Sequence, residues 1–113
     1  MYEIGQKGEA LAEQYLVSQG FCIRERNYRA FHKEIDIIAD DGEVLAFIEV
    51  KYYKKHSLRD LHFAVDKAKQ KHIVAAARHY LAKHEIIDRY TRFDVVLIEQ
   101  EGKIELYKDA FRA

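Results

Sequence analysis

Apolar positions along the chain switch between helical and strand periods. Their order reads helix, three strands, helix, two strands. Ile4, Gly8, Leu11, Ala12, Tyr15 and Leu16 form one stripe at helical spacing and predict a helix over residues 3–19, with Gly20 as its stop. Phe21 and Ile23 alternate weakly and predict a strand over 21–29. Residues 34–39 and 43–51 predict a stronger strand pair, joined by the turn sequence Asp40-Asp41-Gly42. Residues 52–60 predict a basic, aromatic loop, and 61–84 a long helix. In that helix Ile73, Val74, Ala77, Tyr80 and Leu81 share a side, towards which Gln70 also points. Residues 92–99 and 103–108 predict two last strands around Gln100-Glu101-Gly102, and Asp109-Ala110-Phe111 a tail of one helical turn. The order implies an α/β fold, a mixed central sheet of about five strands flanked by helices.

The hairpin decides which side chains meet. In its second strand Val44, Ala46, Ile48 and Val50 share one face, and Glu43, Leu45, Phe47, Glu49 and Lys51 the other. A two-residue loop at Asp41-Gly42 pairs Asp40 with Glu43, which sets Asp36 opposite Phe47 and Glu34 opposite Glu49. Glu34, Asp36, Glu49 and Lys51 then emerge together, with Asp36 and Glu49 diagonal neighbours roughly 7 Å apart at Cα. A one-residue slip would put the two carboxylates on opposite faces.

Composition bounds what this arrangement can be. The 113 residues suit one domain spanning 1–113, and 49% hydrophobic with 34% charged residues describes a globular chain. No apolar run approaches the ~18 residues of a membrane span, and nothing after Met1 reads as a signal peptide. Cys22 is the only cysteine, which excludes an intrachain disulfide and a thiolate zinc cluster and points to a reducing, cytoplasmic setting. Lys plus Arg and Asp plus Glu number 19 each, so a uniformly basic nucleic-acid coat is excluded. The charges are segregated, however. Arg24, Arg26, Arg29 and Lys33 precede an acidic stretch holding Glu34, Asp36, Asp40, Asp41, Glu43 and Glu49, and Lys51, Lys54, Lys55 and Arg59 follow it. Carboxylates between basic segments suit a centre that holds a cation and faces a polyanion, although solvated surface charge gives the same pattern.

Asp36, a hairpin and Glu49-Val50-Lys51 is the sharpest chemical feature. Two carboxylates on adjacent strands can hold Mg²⁺ (or Mn²⁺), with the Val50 carbonyl as a further ligand. Lys51, two residues from Glu49 on the same face, can orient a water or offset phosphate charge. Such a cation polarises a phosphoryl oxygen, so the set suits phosphodiester hydrolysis. Tyr52, Tyr53, Lys54, Lys55 and Arg59 can stack on bases and contact phosphates, or form an ordinary solvated loop.

These motifs carry a resemblance. Gly8-Glu9-Ala10, Arg26-Asn27-Tyr28-Arg29, Glu34-Ile35-Asp36-Ile37-Ile38-Ala39, Phe47-Ile48-Glu49-Val50-Lys51, Ala64-Val65, Lys69-Gln70 and Arg92-Phe93-Asp94-Val95-Val96 resemble the YraN-like family of small bacterial proteins. That family is similar to the PD-(D/E)xK nuclease superfamily and to archaeal Holliday junction resolvases. The resemblance implies a restriction-endonuclease-like core, with Glu9, Asp36 and Glu49 as acidic or metal-binding residues, Lys51 as the catalytic lysine and Gln70 positioning water or phosphate. It also implies DNA, branched or structured, as substrate, and a homodimer would suit two cuts. This chain departs from the family pattern at Lys33, where glycine is usual, and at Tyr52-Tyr53, where an arginine commonly follows the lysine.

Several of these residues also have plainer readings. Glu9 lies on the shoulder of the first helix's stripe, about 20° past Leu16, and could be an exposed helix acid. Glu34 suits an ion pair with Arg29 or Lys33, Gln70 a core amide bonded to backbone, and Arg92 with Asp94 a structural ion pair. Two classes of function follow: a metal-dependent endonuclease, or a catalytically weak or inactive nuclease-fold module that binds nucleic acid or a partner.

Overall fold

The computed structural model describes residues 2–53 and 65–113, with side chains from Gly8 onward. Helix α1 (Tyr2–Ser18) leads into the strands β1 (Cys22–Ala30), β2 (Lys33–Asp41) and β3 (Val44–Tyr53). Helix α2 (Lys67–Lys83) follows, and β4 (Tyr90–Glu99) and β5 (Ile104–Phe111) complete the chain. The expected loop residues Lys54, Lys55 and Arg59 lie outside the described residues, as do positions 61–64 of the expected second helix.

The five strands make one sheet in the order β1-β2-β3-β4-β5. Only β3 and β4 run parallel; the other neighbours are antiparallel. A parallel neighbour needs a crossover, and α2 lies in the connection that supplies it. Among the described residues, each face of the sheet carries one helix. Ala12 and Leu16 of α1 pack with Phe21, Ile37, Ala39, Ala46, Ile48, Val96 and Ile98. Ile73, Ala76, Ala77 and Tyr80 of α2 pack with Ile38, Leu45, Phe47, Phe93, Val95 and Leu97. The strand alternation puts these two sets on opposite sides. The result is the α/β arrangement with a mixed sheet that the element order implied, and it is restriction-endonuclease-like, as the family resemblance implied.

Local chemistry sets the ends of the helices. Gly20, at φ 94°, lets Phe21 N–H return to the Leu16 carbonyl at 3.0 Å and close α1. Asp66 caps α2 by accepting from Lys69 N–H at 2.8 Å. That cap corrects the expected helix over 61–84: positions 65 and 66 are not helical, and α2 begins at Lys67.

Two other expectations are corrected. The two-residue turn falls at Gly42-Glu43 rather than Asp41-Gly42, because Asp41 pairs with Val44 and Asp40 with Leu45. This moves the register by two residues, so along the paired stretches Ile37–Asp41 and Val44–Ile48 every side chain keeps its face but meets a different partner. The tail Asp109-Ala110-Phe111 belongs to β5 and is not a helical turn. The ladder shifts between Phe93 and Val95, Asp109 takes φ 56°, and its N–H donates to the Asp94 carboxylate at 3.0 Å, so the strand continues through an irregularity.

Candidate active site

The corrected register improves the meeting of the acids. The β2–β3 ladder runs from Asp41↔Val44 to Ile37↔Ile48, and one further step sets Asp36 opposite Glu49, not Phe47. Regular pairing stops there. The Val50 N–H instead donates to Asp36 Oδ2 at 2.8 Å. A side chain thus takes the place of a main-chain partner and fixes the Asp36 carboxylate in the gap between the strands.

The alternation of β2 breaks at the same point. Ile37 packs on the α1 side, yet Ile35 packs on the α2 side, which a regular strand forbids for residues two apart. Across from Asp36, Asn27 of β1 holds φ 51°, a left-handed conformation that asparagine tolerates better than most residues. The two strands twist together here without inserting a residue, since Arg26↔Ile37 and Tyr28↔Ile35 keep one register. Asp36 therefore reaches groups on both sides of the sheet. Its carboxyl is within hydrogen-bonding reach of Glu9 from α1 and of Glu49 from β3.

Three carboxyls in a row must share protons or find cations. Burial, then the hydrogen bond and charge of Glu49, push Asp36 up to about 8; the Val50 N–H and Lys69 act against this. Burial, then the charges of Asp36 and Glu34, push Glu9 up to about 7, while the Asn27 amide opposes the rise. With its nitrogen towards the carboxylates, Asn27 donates to Glu9 Oε1 at 3.0 Å and to Glu34 Oε1 at 3.3 Å. Glu34 also pairs with Arg29 at 3.7 Å. A cavity of about 240 Å³ opens on the α1 side of this group, lined by Glu9, Glu13, Arg26, Asn27 and Asp36.

Glu49 is 6% exposed and faces the α2 side. Its parallel neighbour Val95, and Leu97 beside Lys51, both belong to that side's core. Lys69, in the first turn of α2, brings its Nζ to 3.2 Å from Glu49 Oε2. Lys51 is exposed on the same side, two residues beyond Glu49.

The remaining predicted site residues lie around this centre. Gln70 does not join the carboxylates; its Nε2 donates to the Val65 carbonyl at 3.1 Å and helps hold the start of α2. Val50 turns its side chain into the α1-side core. Tyr52 and Tyr53 lie in β3 rather than in a loop, half-buried on the α1 and α2 sides respectively. Lys69 and Asn27 stand within the family-like motifs, but no local pattern assigns either of them a role. Lys69 looked like one of several surface lysines, and a contact between helix and sheet leaves no local pattern. Asn27's place beside Asp36 depends on a register between strands, although asparagine inside a strand is itself a mild sign of irregular backbone.

The comparisons follow the same residues. The model described as "Uncharacterised protein family UPF0102" matches residues 8–98, a span that contains Glu9, Asp36, Glu49, Lys51 and Lys69. The chain belongs to the UPF0102 family. A UPF0102 protein of Desulforapulum autotrophicum is 41% identical over 112 residues, covering 96% of this chain and 93% of its own. One of Treponema denticola is 38% identical over 125 residues, covering 98% and 96%. UPF0102 is the YraN family, so the resemblance carried by the motifs holds over nearly the whole chain. Among the described residues of this UPF0102 chain, no helix is long and apolar enough to cross a membrane.

A divalent cation fits the donor set. Mg²⁺ is commonly held by one or two carboxylates and keeps several of its waters. Asp36 and Glu49 are hard oxygen donors, largely buried, and their mutual repulsion is what a cation would relieve. Among the described residues, no group of three or more His, Cys, Asp or Glu side chains is placed to hold a metal ion.

Proposed function

We propose that this protein is a metal-dependent endonuclease that hydrolyses DNA phosphodiester bonds, with branched or structured DNA as its substrate. The observation that carries the reading is Asp36 held beside Glu49 by the Val50 N–H, at the point where the β2–β3 ladder opens.

Asp36 and Glu49 would hold Mg²⁺ or Mn²⁺, with the Val50 carbonyl as a further donor and Glu9 beside Asp36. The cation would supply Lewis acidity towards a phosphoryl oxygen and lower the pKa of a water. The chain's own groups do the rest. Lys51, exposed next to the pair, meets the scissile phosphate and offsets charge on its oxygens. Glu9 takes up or hands on a proton through Asp36. Lys69 balances Glu49 while no cation is present. A homodimer would place two such centres on a two-fold substrate.

A second reading rests on a specific contact. Lys69 Nζ already lies where it neutralises Glu49. A lysine that stays there in place of a metal would make the protein a nuclease-fold module that binds nucleic acid or a partner without cutting.

The test compares cleavage of a four-way junction, a flap, a single strand and a plain duplex in Mg²⁺ and in Mn²⁺. The nuclease reading expects cutting that Glu49→Ala abolishes, with a preference for the structured DNAs. Equal trace nicking by wild type and Glu49→Ala would end it. Salt-dependent binding without turnover, unchanged by Asp36→Ala, would favour the second reading.

A further inference from the structure

The β1–β2 hairpin turns through Phe31 and His32, between the paired residues Ala30 and Lys33. Both turn residues are left-handed, at φ 56° and 62°. Consecutive positive φ values mark a two-residue type I′ hairpin, for which Asn-Gly is the favoured pair. A bulky side chain at positive φ is a steric outlier, and strain of that kind at a loop tip invites a functional explanation.

The same tip displays an aromatic ring. Phe31 is 65% exposed. One edge is braced against His79 of α2, with centroids 5.1 Å apart and the planes at 84°. The Tyr28 hydroxyl fixes His79 through Nδ1 at 2.6 Å. The ring is therefore supported at its base and open above. Basic side chains surround it: Arg29 and Lys33, with the His32 ring, line a concavity of about 480 Å³ at the tip, and Lys83 Nζ lies 6.0 Å from the Tyr28 ring centroid. The nearby acids are Glu34, paired with Arg29 at 3.7 Å, and Glu25, which faces Tyr28.

We propose that the Phe31-His32 turn is a wedge that stacks on an unpaired base while Arg29 and Lys33 hold the adjoining phosphates. An exposed ring amid basic side chains is the chemistry of single-strand recognition. Charge selects a polyanion, and the ring selects the face of a base that pairing would hide. The tip is five residues from Asp36 along β2, roughly 15 Å at strand rise, or about four to five base steps. The wedge rests on the DNA reading above and deepens it: it would place a junction between paired and unpaired DNA at a set distance from Asp36.

The experiment reads binding by fluorescence anisotropy in EDTA, so that no cutting is involved. The probes are a forked DNA with unpaired arms and a blunt duplex of the same sequence. The double variant Phe31→Asn, His32→Gly supplies a relaxed turn and removes the ring. It should be at least as heat-stable as wild type, bind the fork roughly tenfold more weakly, and bind the duplex within about twofold of wild type. Phe31→Trp should keep the fork affinity. The chain has 0 tryptophans, so the new fluorophore reports alone and should be quenched by the fork and not by the duplex.

Fork binding by the double variant equal to wild type would overturn the proposal. So would an equal loss on both DNAs, or a wild type with no preference for the fork. Loss of a wild-type dimer in sedimentation, with DNA binding unchanged, would overturn it by making Phe31 a protein contact. The outcomes separate from the nuclease reading. Fork selectivity that depends on Phe31 in a protein that never cuts sinks the nuclease reading alone; cutting with a dispensable Phe31 sinks the wedge alone.

Discussion

Lys69 Nζ lies 3.2 Å from Glu49 Oε2, so an ammonium from α2 already balances one of the two carboxylates that meet where β2 and β3 part. A metal and this lysine would compete for the same oxygen. Lys69→Met should therefore tighten Mn²⁺ binding, by roughly fivefold to tenfold in a calorimetric titration, since an adjacent charge of this kind is worth about 1 kcal/mol or more in a partly buried site. The same variant should melt several degrees lower without metal at pH 8. Unchanged metal affinity would mean that the lysine does not stand in for a cation.

Stability should fall as the pH rises from 5 to 8. Asp36 and Glu9 keep their protons to about 8 and about 7 in the fold, whereas unfolded carboxyls lose theirs near ~4. Across that window the folded chain binds more protons than the unfolded one. Their contribution is thus complete below pH ~4 and lost as the pH climbs through the folded values. The loss should be on the order of 2 kcal/mol, or ~10 °C in Tm, by scanning calorimetry, carried mainly by Asp36 because solvent screens the more exposed Glu9. Below pH ~4 the order reverses, because ion pairs and hydrogen bonds lower Glu13, Asp41, Glu105 and Asp109. Millimolar Mg²⁺ at pH 8 should restore much of the lost stability.

Asp36→Asn separates charge from shape. It removes the carboxyl that ionises beside Glu49 and, with the amide oxygen turned to Val50 N–H, keeps that hydrogen bond. The variant should flatten the fall in Tm between pH 5 and 8, and any Mg²⁺-dependent cleavage should drop by about 100-fold or more. A slope identical to wild type would show that Asp36 is not the group that titrates.

Arg92 and Asp94 predict a purely structural loss. Asp94 is fully buried and receives Arg92 at 2.7 and 2.8 Å, and the same guanidinium reaches Asp41 at 2.8 Å. Arg92→Ala leaves that carboxylate without its cation and should cost about 3–5 kcal/mol in urea denaturation. Lys cannot reproduce the forked contact, so Arg92→Lys should restore only part of the loss.

Gly8 gives a graded steric prediction. A Cβ there would sit 3.2 Å from Tyr52 Cδ2. For Ala, a gain in helix propensity of about 1 kcal/mol offsets the crowding, and stability should change little. Gly8→Val should lose roughly 2 kcal/mol, because the larger side chain must displace Tyr52.

Sequence pattern revealed what is local. The stripes on α1 and α2 and the alternation in β3 depend on nearby residues, and Ala12, Leu16, Ile73, Ala77 and Tyr80 are buried as their spacing implies. Asp36 and Glu49 come together as the pattern implies because a hairpin keeps its parity even when the turn is misplaced by one residue and the register by two. The break of alternation at Asp36 was not legible, since it arises from the joint twist with Asn27 of another strand. Tyr52 and Tyr53 read as loop because a basic segment follows them, yet pairing with Ile98 and Glu99 of the distant β4 extends β3 through both. Phe111 likewise pairs with Phe93, a contact that the two short segments do not announce.

The meander of β1, β2 and β3 is contiguous in the chain, whereas α2 and β4 reach it only after the crossover. Loop closure favours early formation of short-range contacts. During synthesis, Glu9, Asp36 and Glu49 leave the ribosome before Lys69 does. A nascent chain would thus carry its negative charges before the helix that brings their counterweight, and ions in the surrounding solution would be the first available to quiet them.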